Sequence, residues 1–217
     1  MRTAVFSDIH ANLPALEKFV EKTKDKVDAY LCLGDIVNYG PWNDECIDMV
    51  FSLPGIKVLE GNHEALFLGK EPLDKEIELV QIFYSHSFPF FTHRDKINDL
   101  PEECMLGSFS CSHTVCNMRI YPDTQYTVDR NRFISHTHHM FKITSERGML
   151  VNCGSIGQNR KEINVGNYII YDDNAESVEL CRYLYDFDIF IRELKARKYP
   201  ECCINYYLGK KIAHESV

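Results

Sequence analysis

The chain opens with an apolar run, TAVF, that breaks into Ser-Asp-Ile-His and then into a helical pattern with Leu13, Leu16, Phe19 and Val20 on one face. This predicts a strand, then a helix over residues 13–24 with Asn12 as N-cap and Pro14 in its first turn. The order of strand, charged motif and helix then recurs twice. AYLCLGD precedes a helix over residues 44–51, and IKVLEGNHE precedes a further helical start. Asp8, Asp35 and Asn62 stand at equal intervals of 27 residues, close to the ~30 residues of a strand-helix-strand unit. Crossover units of that length predict parallel strands, with all three motifs at their carboxyl ends, the edge along which open α/β sheets bind ligands.

Residues 65–99 read as helical, with Ile77, Val80, Phe83 and Tyr84 on one buried face, until SFPFFTHRD interrupts the pattern. Residues 66–100 are read as a packed layer, with a cap over the site as the alternative. The second half is strand-rich, in CMLGSFSCSH, NRFISHTHH, GMLVNCGS, NYIIYDD and SVELCRYLYD. A last helix over residues 187–198 is expected to stop at Pro200, leaving a tail. Nothing in the composition breaks the chain, so residues 1–217 are read as one domain.

Five motifs close these predicted strands: Asp8-Ile9-His10, Gly34-Asp35, Gly61-Asn62-His63-Glu64, Ser112-His113 and His136-Thr137-His138. Strand alternation would turn Asp8 and His10 to the same side. Singly, such motifs are turns or surface features. Together they gather carboxylates, imidazoles and an amide, which are too costly to bury at strand ends unless they coordinate something.

Composition narrows the partners. The formal net charge of −8 argues against a nucleic-acid backbone, which needs a basic surface. No apolar stretch reaches the ~18 residues of a membrane span, and no leader pattern is present, so a soluble cytoplasmic protein is expected. Nine cysteines are scattered through apolar segments with no C-x-x-C. They are read as small buried thiols in a reducing compartment, with thiol-redox chemistry or zinc storage as the alternative.

Over residues 1–171 the motif order D-x-H, G-D, G-N-H-E, H and H-x-H resembles the calcineurin-like metallophosphoesterases. That resemblance implies a four-layer α/β/β/α sandwich of two mixed sheets, with a site for two divalent cations on one edge. It further implies that Asp35 bridges the cations, that Asp8, His10 and His138 complete one site, and that Asn62, His113 and His136 complete the other. His63 would stand over the metals and either protonate the leaving oxygen or stabilise the transferring phosphoryl group, while an acidified water attacks phosphorus in line. Mixed oxygen and nitrogen donors suit manganese, iron, zinc, nickel or cobalt. Glu64 is expected to cap the following helix. GDIVNYGP and NCGSIGQNR are similar to stretches of the small bacterial and archaeal phosphodiesterase-like branch, which includes relatives assigned to diadenosine tetraphosphate hydrolysis. Arg160 in the second stretch is a substrate-binding candidate. The glycines Gly154 and Gly157 have a purely geometric reading. Ala11, Thr114, Ser135 and Cys153 stand where the family has Gly, Gly, Gly and Pro.

The related protein phosphatases carry arginines where this chain has Tyr39 and Glu60, so two guanidinium forks for a phosphomonoester dianion are missing. A phosphodiester or phosphoanhydride is therefore expected as substrate. Asn38 would be a neutral partner for His63. Tyr39 would either stack on a base or aryl group, or pack in its loop beside Pro41 and Trp42. The alternatives are a phosphomonoesterase, or a non-catalytic scaffold of the same fold that binds protein partners. His139 and His214 are read as exposed residues without partners.

Overall fold

A computed structural model describes residues 1–214. The strands are β1 (Arg2–Phe6), β2 (Ala29–Cys32), β3 (Lys57–Val58), β4 (Glu103–Leu106), β5 (Phe109–Ser112), β6 (Arg132–Ile134), β7 (Met140–Ser145), β8 (Gly148–Cys153), β9 (Val165–Asp172) and β10 (Ser177–Leu184). The helices are α1 (Leu13–Thr23), α2 (Asn43–Phe51), α3 (Asn62–Leu68), α4 (Glu78–Ser87), α5 (Arg94–Ile97), α6 (Phe187–Ala196) and α7 (Glu201–Leu208). One sheet has the order β10-β9-β1-β2-β3 and the other β4-β5-β6-β8-β7. The β1-β2-β3 run is parallel, as the recurring motif spacing predicts, while β9 and β10 extend it antiparallel. No helix among the described residues is long and apolar enough to cross a membrane.

Period-two alternation builds two cores from the same strands. Val5, Leu31 and Ile169 face the second sheet and meet Phe109, Cys111, Phe133 and Val151 there. Their neighbours Phe6, Tyr30 and Ile170 face the helices. On that side α1 inserts Phe19, whose ring lies 4.5 Å from Phe6 and 5.9 Å from Tyr30. Burying such a ring contributes about 1.5–3 kcal/mol. The Asn12 side chain accepts from Ala15 N at 3.3 Å, which starts α1 at the expected cap. The outer face of the second sheet, at Ile134, Phe141 and Leu150, is covered by the irregular segment 114–130 through Val115, Ile120 and Val128.

Three local expectations are corrected. Ile77 is exposed while Val80 and Phe83 are buried and Tyr84 is half-buried, because Ile77 is the extended N-cap of α4 and lies outside its helical face. β1 stops at Phe6, not at the histidine. α6 ends at Ala196, short of Pro200, with Arg197 as its C-cap and Lys198 left-handed (φ 56); Pro200 is instead the N-cap of α7, which buries Cys203 and Tyr207 one helical turn apart. Residues 66–97 join the helix-side core through Leu66, Phe67, Val80, Phe83, Phe91 and Ile97.

Candidate metal centre

Asp8, His10, Asp35, His113, His136 and His138 sit just past strand ends, whereas Asn62, His63 and Glu64 open α3; most of the former lie on loops whose backbone is unusual. Asp8 (φ 54), His10 (φ 52), Asp35 (φ 57), His136 (φ 69) and His138 (φ 59) are all left-handed, as are Ala11, Asn38 and Tyr39. Each such residue costs about 1–3 kcal/mol, and strain of this kind concentrates at functional sites. Asp8 and His10 therefore converge through left-handed turns rather than by strand alternation. Between them and the GSIGQ turn the chains nearly touch. Gly157 N donates to Asp8 O at 3.1 Å, and a Cβ on Gly157 would lie 1.9 Å from Ile9 O. Asn12 adds a donor bond to Gly157 O at 2.9 Å.

Loops from both sheets bring three donor groups together: Asp8, His10 and His138; His10, Asp35 and His63; and Asp35, His113 and His136. His63, read from the sequence as standing over the metals, thus falls within the cluster, with Nε2 4.0 Å from Asp35 Oδ2. Asn62 Oδ1 joins the last group, 3.1 Å from His113 Nε2 and 2.9 Å from His136 Nδ1.

The chemistry of these donors fits a cation. Main-chain carbonyls accept from Nδ1 of His10 (Val37, 3.3 Å), His113 (Leu33, 2.9 Å) and His138 (Gln158, 2.8 Å). A carbonyl cannot donate, so these rings carry hydrogen on Nδ1 and turn a lone pair inward from Nε2. His10 and His138 then face each other at 3.2 Å. Beside them, Asp8 Oδ1 is 3.1 Å from His138 Nε2 and is a buried oxygen with no hydrogen-bond partner. Lone pairs and a bare carboxylate oxygen at this range repel unless a positive charge lies among them.

The protonation states agree. Burial pushes the Asp8 pKa up, but His138 and His113 outweigh it and leave it at about 2. Burial likewise opposes charge on Asp35, which His113 and His63 hold well below the usual range. Burial lowers His10, and it lowers His136 to about 4, so both stay neutral donors at pH 7. Burial also opposes charge on His113, yet the Asp35 carboxylate raises it to about 9. At pH 7 His113 Nε2 therefore carries a proton unless a cation takes that place, and in either case positive charge is held against Asp35 Oδ2, 3.2 Å away.

Several supports have no sequence signature. Ser135 Oγ lies 2.9 Å from His113 Nδ1 and donates to His113 O at 3.3 Å, so the residue in place of the family's glycine helps hold a donor ring. Glu64 does more than cap α3. Besides accepting from Gly61 N at 3.0 Å, it takes the N–H groups of Asp35 (2.7 Å), Ile36 (2.7 Å) and Val37 (3.2 Å). This fully buried carboxylate thus ties the Asp35 loop to the α3 N-terminus. Burial and Asp35 raise its pKa to about 7, while the backbone donors pull the other way.

The remaining expected residues surround this cluster. Asn38 Nδ2 is 3.0 Å from His63 Nδ1. Tyr39 is 6% exposed, its ring edge-on to His10 (4.9 Å) and His63 (5.2 Å), so it backs those imidazoles instead of presenting an open face. Its aromatic neighbours also include Phe83 and Tyr206. Arg160 is exposed and donates to the hydroxyl of Tyr206 on α7, a contact hidden from the sequence when residues past Pro200 are read as a tail. Glu60 is ion-paired with Lys70, which offsets the charge expected to repel a dianion. His139 is half-buried with Nδ1 2.6 Å from Thr137 O, whereas His214 is exposed.

Two facing mixed sheets with a cluster of buried carboxylates and histidines at their strand ends define a metal-dependent phosphoesterase, a hydrolase of phosphoric esters. The calcineurin-like phosphoesterase profile matches residues 1–192, and the chain belongs to that family. It is 28% identical to an uncharacterised protein of Methanocaldococcus jannaschii, over 96% of each chain. Among solved structures it is similar to a metallophosphoesterase from Sphaerobacter thermophilus (TM-score 0.78, 24% identity, 96% of this chain and 98% of the other). It is also similar to a hypothetical protein from Pyrococcus horikoshii (TM-score 0.84, 19% identity, 95% and 97%).

Proposed function

We propose that the chain hydrolyses a phosphodiester or phosphoanhydride bond of a small substrate, of the nucleotide or dinucleoside polyphosphate class, at a centre for two divalent cations. One observation carries this reading. Asp35 Oδ2 lies 3.2 Å from His113 Nε2 and 4.0 Å from His10 Nε2, so one oxygen belongs to two donor groups. In this reading Asp35 is shared by both cations, Asp8, His10 and His138 complete one site, and Asn62, His113 and His136 the other. Manganese, iron, zinc, nickel and cobalt all suit such donors. When bound, the cations supply Lewis acidity and an acidified water.

His63, positioned by Asn38 and backed by Tyr39, either protonates the leaving oxygen or, as a neutral ring, stabilises the transferring phosphoryl group by a hydrogen bond from Nε2, while Arg160 meets the substrate at the rim. The preference for a diester or anhydride rests on Tyr39 and Glu60, neither of which can supply the guanidinium forks that hold a dianion. The ion pair of Glu60 with Lys70 favours a second reading, a phosphomonoesterase, because it removes the repulsion. Free thiols at all nine cysteines support a reducing, cytoplasmic location.

The test is a chelator-treated protein resupplied with manganese or another divalent ion and assayed on bis-nitrophenyl phosphate and nitrophenyl phosphate. A higher kcat/KM for the diester is expected. A wide margin for the monoester selects the second reading. Turnover of neither with any ion leaves a non-catalytic scaffold.

A further inference from the structure

We propose that Arg160, Tyr206 and Lys210 form an anion subsite that binds a second phosphate of the substrate, remote from the one being cleaved. This deepens the phosphodiesterase reading and rests on it. The Arg160 guanidinium donates to the Tyr206 hydroxyl, and the Lys210 ammonium lies 4.3 Å from the centroid of the same ring. Neither cation has a carboxylate partner among the described residues, in a chain whose net charge is −8. Two cations gathered on one tyrosine repel each other. Burial and then Arg160 depress the Lys210 pKa, in keeping with that strain.

The position connects them to the metal cluster. Tyr206 stacks on Tyr39 with ring centroids 6.2 Å apart and planes 29° apart, and Tyr39 in turn abuts His10 and His63. An anion between Arg160 and Lys210 would take a planar fork from one and a point charge from the other. The Tyr206 hydroxyl accepts from Arg160, which leaves its own hydrogen free to donate to a phosphate oxygen. A phosphate borne by the substrate fits this set better than a neutral group. The α7 helix thereby joins the specificity of the site, although no metal-binding motif lies on it.

The experiment compares two esters with the same scissile diester and leaving group: the 4-nitrophenyl ester of thymidine 5′-phosphate, with and without a 3′-phosphate. The wild type is expected to favour the 3′-phosphorylated ester by about tenfold in kcat/KM, mainly through KM, the scale of one or two charge-assisted hydrogen bonds. Arg160→Ala and Lys210→Ala should each reduce that ratio. Tyr206→Phe should reduce it through the lost hydroxyl while circular dichroism shows an unchanged fold. Equal turnover of both esters by the wild type, or a loss shared equally by both esters in the variants, overturns the subsite. Calorimetric binding of thymidine 3′,5′-bisphosphate separates this proposal from the reading beneath it. If neither ester is cut but the bisphosphate binds the wild type more tightly than either alanine variant, the subsite stands and the phosphodiesterase reading falls. If the esters are cut without preference, and the bisphosphate binds no better than the 5′-monophosphate, the subsite falls alone.

Discussion

The side chain of Asn38 settles which nitrogen of His63 carries hydrogen. Asn38 Oδ1 is occupied by the N–H of Tyr39 at 2.8 Å, so its amide nitrogen is the atom that faces His63 Nδ1 at 3.0 Å. An amide nitrogen only donates, so Nδ1 accepts and the hydrogen of the neutral ring sits on Nε2, the atom on the Asp35 side. Burial lowers the His63 pKa and favours that neutral ring.

His63→Ala is expected to lower kcat by about 10²- to 10⁴-fold, the range of a positioned acid-base group, with metal content kept. The loss should be smaller for nitrophenyl than for alkyl leaving groups, which need protonation more. Asn38→Ala should cost less, and the double variant no more than His63→Ala alone, because Asn38 acts through the imidazole. Steady-state kinetics of the three variants check this. Additive losses would separate the two residues.

Asp35→Asn tests the shared carboxylate. It removes a negative charge that faces His113, His10 and His63. Elemental analysis after dialysis should find one ion or none per chain, against two in the wild type. Two ions retained in the variant would take Asp35 out of the bridging role.

Glu64→Gln keeps the shape of a side chain that accepts four backbone N–H groups but turns one acceptor oxygen into a donor. Each oxygen accepts two of these N–H groups, so whichever one becomes an NH2, two N–H groups then face a donor in a fully buried position. A loss of about 1–3 kcal/mol in urea unfolding is expected, together with weaker metal binding as the Asp35 loop loosens. An unchanged unfolding midpoint would show that the loop holds without this carboxylate.

The cysteines should react in the order of their burial. In the native protein a disulfide-exchange reagent should modify the exposed Cys116 and Cys202 quickly and the half-buried Cys181 slowly; half-buried Cys104, whose pKa a hydrogen bond with Cys111 lowers to about 7, should react faster than Cys181. Cys32, Cys46, Cys111, Cys153 and Cys203 should react only on unfolding. Burial holds the Cys32, Cys46 and Cys153 thiols well above the ordinary range, which reinforces this order. Fast native reaction of the buried set would revive the thiol-redox alternative.

The sequence by itself determined the parallel β1-β2-β3 run, because apolar strands followed by helices at intervals of 27 residues match the length of a βαβ crossover, which joins parallel strands. The carboxylates and imidazoles of the three donor groups are legible as residue types at successive strand ends, although the motif pattern sets His63 over the metals and not among the donors. Tertiary structure decided how they meet. Asp8 and His10 converge through left-handed turns, and φ is not written in a residue spacing. The imidazoles are aimed by the carbonyls of Leu33, Val37 and Gln158, and every residue has a carbonyl, so nothing in the letters marks these three. Glu64 read as a local cap because its three-residue reach to Gly61 is sequential, whereas its bonds to Asp35, Ile36 and Val37 exist only once β2 and β3 lie side by side. Pro200 read as a stop because proline cannot continue a helix, although α6 already ends at Ala196. That Pro200 starts α7, and so carries Tyr206 to Tyr39 and Arg160, depended on buried Cys203 and Tyr207 finding a core that the rest of the chain had to build first.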